Sequence, residues 1–178
     1  GAQSYIAQNN VDYAGEIAGS GYGGLNVNAT DYSDDLDFTA GVNITGSTLH
    51  GTGDDASITA FASTQGDITA KNSLKSAGVI PVALAFSDYD IDYNNSVNVS
   101  GSSLTTDKAD ADITLAATDD TVVKLETIAD TQGGAVGAAS AKADNAFDRA
   151  NRINVDSTST LLSSNDANLY AGANISGI

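Results

Sequence analysis

The chain repeats itself, and that limits its fold more than anything else about it. The segment Val42-Asn43-Ile44-Thr45-Gly46-Ser47-Thr48-Leu49 returns as Val97-Asn98-Val99-Ser100-Gly101-Ser102-Ser103-Leu104, and more loosely as Ile153-Asn154-Val155-Asp156-Ser157-Thr158-Ser159-Thr160. A second matched strand follows each copy, around Ile58, Ile113 and Leu169. Upstream, Gly23, Gly78 and Gly134 coincide, as do Leu36, Ile91 and Phe147, each followed by an aspartate at Asp37, Asp92 and Asp148. A sandwich has no need of such copies, whereas a solenoid adds one unit per copy and buries each on its neighbour.

Within each copy the period is that of a strand. In Val42-Asn43-Ile44 and Val97-Asn98-Val99 apolar residues alternate with Asn, which sends the branched side chains to one side and the amides to the other. Clusters such as Gly51-Thr52-Gly53-Asp54-Asp55 break the apolar runs into short pieces with tight corners. The expected fold is all-β: a parallel β-helix, or β-solenoid, with a 55-residue internal repeat of roughly three coils of about 18 to 20 residues, the alternative being two larger coils per unit. Nine or so coils at about 4.8 Å each would give a rod of roughly 43 Å. On that spacing Asn43, Asn98 and Asn154 mark one facet but sit about 14 Å apart, too far to bond to each other. Residues 1–22 fall outside the aligned copies and are expected to be a cap or a donated strand; copies lie near 23–77, 78–133 and 134–178.

The Ala-rich stretch 138–152 has the local propensity of a helix. It aligns with the strand-like run containing Val82, Leu84, Phe86, Tyr89 and Ile91, and the repeat therefore predicts strand there too. Val42, Ile44, Ile58, Val97, Val99, Ile113, Ile153, Val155 and Leu169 are predicted to face the core.

Seven Lys plus Arg against 23 Asp plus Glu leave a formal net charge of −16, which would repel a phosphate backbone and makes nucleic acid an unsuitable partner. Cys, Met and Trp are absent, so disulfides, thiol chemistry and soft metal sites are excluded. No window approaches the roughly 18 consecutive apolar residues of a membrane span. Any export signal is expected to have been removed or to lie on a larger precursor.

The recurring order of β-branched residue, Asn, β-branched residue, Gly/Ser turn, Leu and an Asp-bearing corner resembles large bacterial exoproteins of the filamentous haemagglutinin type, including leukotoxin-like filamentous adhesins. Ile153-Asn154-Val155 followed by Asn165-Asp166-Ala167-Asn168-Leu169-Tyr170-Ala171-Gly172 carries the likeness best. The resemblance implies a right-handed parallel β-helix, export across an outer membrane and a part in attachment or fibre formation. It implies no catalytic residues.

The side chains give the same expectation of a protein that is not an enzyme. The sole histidine, His50, stands at a Gly-rich corner with no partner histidine and no Ser/His/Asp order, so it is expected to be a solvated polar side chain at the surface. The run Gly19-Ser20-Gly21-Tyr22-Gly23-Gly24 lacks the Lys of a phosphate loop and reads as a turn. Asp88, Asp90, Asp92 and Asn94 alternate with Tyr89, Ile91 and Tyr93, which puts four oxygen-bearing side chains on one face. Asp88, Asp90 and Asp92 are thus candidate ligands for a weakly held Ca²⁺, with help from Asp34, Asp35 or Asp37; the competing reading is a solvated acidic face. No other cofactor is expected. Of the cations, only Arg149 and Arg152 fall close to repeated acids.

The expected function is structural: a repeat segment giving length, stiffness and an acidic surface to a secreted filament or adhesin at a bacterial cell surface. Its expected partners are other copies end to end or adjoining repeats of a longer chain, together with a surface glycan or receptor. The alternative is a carbohydrate-binding or carbohydrate-degrading β-helix such as a phage tailspike segment.

Overall fold

The computed structural model describes residues 1–176; Gly177 and Ile178, counted in the last repeat copy, lie outside the described residues. The described residues are all-β, with eight strands: β1 (Gln3–Thr45), β2 (Thr48–Gly51), β3 (Ile58–Ser100), β4 (Ser103–Thr106), β5 (Ile113–Gln132), β6 (Ala138–Val155), β7 (Thr160–Leu162) and β8 (Ala167–Ser176). Every pairing is parallel. One sheet runs β1-β3-β5-β8 with β6 also on β3, and a small one runs β2-β4-β7. The Ala-rich stretch is strand β6, as the repeat required against its local propensity.

The register corrects the expected coil. Ile58 pairs with Gln3 on one side and Ile113 on the other, and Val97 with Val42 and Ile153. Neighbours across the sheet are therefore one whole unit of about 55 residues apart, and among the described residues three coils of 18 to 20 residues within each unit do not occur. The asparagines show it directly: Asn98 Nδ2 donates to Asn43 Oδ1 at 2.9 Å and Asn154 Nδ2 to Asn98 Oδ1 at 2.7 Å. The bonds judged impossible from the sequence form because 55 residues make one pass, not three.

Residues 3–22 pair in register with 58–77, so pairing crosses the boundary expected near residue 22 with only Gly24 left out. The Gly-rich run is extended through Tyr22 and leads into the reversal that follows.

Each pass doubles back on itself. Thr64 Oγ1 donates to Asn95 Oδ1 at 2.9 Å, Asn72 Nδ2 donates to the Phe86 carbonyl at 2.6 Å, and the Tyr93 hydroxyl lies 3.0 Å from Oγ1 of Thr121, the pairing neighbour of Gly66. An outgoing leg, 58–77, thus faces a return leg, 81–100, with the reversal between them. The short strands β2, β4 and β7 form a third side, reached through corners at Gly46 and Gly101 whose φ of 58° and 56° suits glycine. In the third pass, Asp156 takes over this corner. It accepts from the hydroxyls of Ser100 (2.6 Å), Ser159 (2.7 Å) and Thr158 (2.9 Å), which hold its carboxyl well below the usual range. A leg of 20 residues spans about 65 Å, whereas three passes stack to about 14 Å, so the molecule is broad where a rod was expected.

Alternation along the legs sends Ile58, Ala60, Ala62, Ile68, Ala70 and Leu74 inward against Ala83, Ala85, Tyr89, Ile91, Tyr93, Val97 and Val99, all buried. The middle pass, and the first ten residues of β5 beneath β8, are covered on both sides, so their inward residues are the most deeply buried. Val42, Ile44, Ile58, Val97, Val99 and Ile113 are buried as predicted, and Ile153 and Val155 pack partly buried against them. Leu169 is in the inward column, paired with Leu115, but is 54% exposed because it belongs to the last pass.

Candidate functional site

The outer face of the return legs collects the acids. Tyr89, Ile91 and Tyr93 are buried, so Asp88, Asp90 and Asp92 point outward between them. Parallel pairing then sets Asp35 beside Asp90, Asp37 and Asp148 on either side of Asp92, and Asp144 beside Asp88. Asp37, Asp92 and Asp148 form a column with strand-to-strand steps of about 4.8 Å. Partial burial and the charges of Asp90, Asp148, Asp37 and Asp35 push the Asp92 carboxyl above the usual range. Asp34 is on the wrong face: it turns inward and accepts from the hydroxyls of Tyr13 and Tyr32, each at 2.5 Å. Among the described residues no group of three or more acidic, His or Cys side chains is placed to hold a metal ion.

A shallow recess of about 210 Å³ opens here, lined by Asp92, Asn94, Asp148 and Arg152. It brings a cation to the repeated acids, as their sequence positions suggested. The ring of Tyr93 beneath it is 1% exposed and gives a sugar no stacking platform. A hollow of about 530 Å³ between the legs of the first pass is lined by Val11, Tyr13 and Phe38; it is the uncovered rim of the core. His50 lies on the surface, its Nε2 2.8 Å from Asp107 Oδ2.

Sequence reading missed two inward polar clusters. In one, Asn95 accepts from Thr64 and donates to Asn151 Oδ1 at 3.0 Å, and Asn151 donates to Asp119 Oδ2 and, at 2.7 Å, to the Gly172 carbonyl. Asp119 is buried, and its Oδ1 has no hydrogen-bond partner among the described residues. In the other, burial and then the bond to Asp34 push the Tyr13 and Tyr32 hydroxyls above the tyrosine range, so they remain protonated donors. Both clusters tie one leg to the other and fix which residues face which. The signal was present as polar residues at inward positions, but it can be read only once the pass length is known.

The acidic column makes a prediction about pH. Asp92 titrates higher in the folded protein than in the unfolded chain, so its ionisation disfavours the fold. That penalty is full above the raised value and disappears as pH falls to the ordinary value of 3.8. Asp92→Asn should therefore melt above the parent at pH 7, and the two should converge near pH 3. Equal melting temperatures at pH 7 would show that solvent screens the column completely.

Comparison with protein-family models, with curated proteins and with solved structures finds no match to this chain.

Proposed function

We propose that the chain is a stretch of β-solenoid with a structural role, adding length, stiffness and an acidic surface to a secreted filament or adhesin. The observation that carries this reading is the in-register stacking of whole passes. Each pass lays its inward residues on those of the pass below, so a further pass meets the same columns. The resemblance to filamentous haemagglutinin-type exoproteins favours the same role and a bacterial cell surface as its place. No helix among the described residues is long and apolar enough to cross a membrane. Neighbouring passes, from this chain or another copy, are the partners such stacking calls for.

Stability that comes from neighbouring units should grow with their number. A chain in which residues 58–112 are duplicated in tandem should keep its β-rich circular dichroism and unfold at a higher temperature and denaturant midpoint. A duplicated chain that is less stable than the parent, or unfolded, would overturn the solenoid reading. The extracellular role is tested separately by antibody labelling of intact cells that produce the protein, where exclusive labelling of lysed cells would refute it.

A further inference from the structure

The outer face of the outgoing legs differs in chemistry from that of the return legs. Over positions 1–10, 58–67, 113–122 and 167–176 the outgoing legs carry no Lys or Arg. Alternation puts Tyr170 and Gly172 on this outer face, because Leu169 and Ala171 continue the inward columns of Leu115 and Ala117. A Cβ at Gly172 would fall 2.5 Å from the Tyr170 hydroxyl oxygen and 2.6 Å from its Cζ, so the ring lies along the strand over the bare glycine. Tyr170 is 60% exposed in that position. Beside it a shallow recess of about 220 Å³ is lined by Tyr170, Gly172, Thr118 and Asp120. A second recess, of about 360 Å³, is lined by Asn10, Gln65, Asp67 and Asp120, with Gln65 Nε2 donating to Asn10 Oδ1 at 3.0 Å. Asp120 borders both, so they form one trough that crosses the passes obliquely from the fourth to the first.

We propose that this trough binds a neutral glycan chain. The flat ring of Tyr170 suits the C–H face of a pyranose. Beyond it stand amides that donate and accept and carboxylates that accept, which is what the hydroxyls of the following sugars require. Asp67, Asp120 and the net charge of −16 select against acidic glycans, since no cation lines the trough to answer them. An extended peptide finds no open edge there, because β3 and the covered part of β5 are paired on both sides. The site is independent of the structural role proposed above, since a stack that gives length can carry it or lack it.

Affinity electrophoresis of the whole chain tests this, in native gels containing a soluble neutral polysaccharide (dextran, a mannan or a galactan) or polygalacturonate. Retardation by at least one neutral polymer and none by polygalacturonate is expected. Tyr170→Ala should weaken binding on the order of tenfold, and Tyr170→Phe, which keeps the ring, by less than about threefold. Gly172→Val should weaken it as much as Tyr170→Ala, by lifting the ring off the sheet, with circular dichroism unchanged. Tyr22→Ala, which removes an 88% exposed ring at the first reversal, should have no effect. No retardation by any of the neutral polymers would overturn the proposal, as would equal retardation by polygalacturonate or a Tyr170→Ala variant that binds as the parent does. A casein digest that displaces the polysaccharide would make this a peptide site and overturn it as well.

Discussion

Ile113→Asp should lower the unfolding free energy by about 4 kcal/mol or more, enough to remove the cooperative melting transition of a marginally stable domain. Ile113 is fully buried, paired with Ile58 on one side and Ala167 on the other, in the cluster that holds Ile44, Val97, Val99 and Leu104. A carboxylate there would lose its water and meet no partner. Protonation would spare the charge but leave a polar group among aliphatic side chains. The contrasting change is Thr69→Asp, at an exposed outward position whose neighbour across the sheet is Lys124, expected within about 0.5 kcal/mol of the parent. Urea unfolding followed by circular dichroism measures both, and similar midpoints for the two variants would show that the inward and outward faces are assigned the wrong way round.

Gly66→Ala should cost about 3 kcal/mol or more, a large effect for one methyl group. Gly66 has a φ of 135°, where residues with a Cβ are strained, and a Cβ there would fall against the backbone carbonyl of Val11. The obstacle is main chain held in a ladder, so relief requires shifting β1 against β3. Gly46 separates the two causes. Its φ of 58° is also positive, but no atom lies near a Cβ built there, and asparagine tolerates that conformation. Gly46→Asn should cost less than about 1 kcal/mol. A Gly66→Ala variant as stable as Gly46→Asn would show that β1 and β3 can part without penalty.

The alternation of Val42, Ile44, Val97 and Val99 was legible because strand period is local, and parallel stacking followed from the 55-residue copies. The length of one pass was not legible. A 55-residue copy is compatible with one wide turn or three narrow ones, and alternation looks the same in both. What decides is whether Asn43, Asn98 and Asn154 are adjacent, a relation between passes that no single window contains. The acidic site was half legible for the same reason. Asp88, Asp90 and Asp92 are visible along one strand, but the column Asp37, Asp92 and Asp148 appears only after the passes are laid side by side. Asp34 looked equivalent to Asp35 and Asp37 although, on its return leg, the inward positions are the even-numbered ones.

Among the described residues a fourth pass has begun: β8 lies over the first ten residues of β5, so the stack of described strands ends in a step and not a terrace, as at a screw dislocation on a growing crystal. Strand added at a step gains a neighbour beneath it at once, and the step moves around the perimeter without being used up. The expensive event is closing the first 55-residue loop, because no parallel partner is nearer in sequence. Refolding should accordingly begin slowly, over seconds or longer, and extra passes should lengthen it little; a refolding time that multiplies with each added pass would show that every pass must nucleate anew.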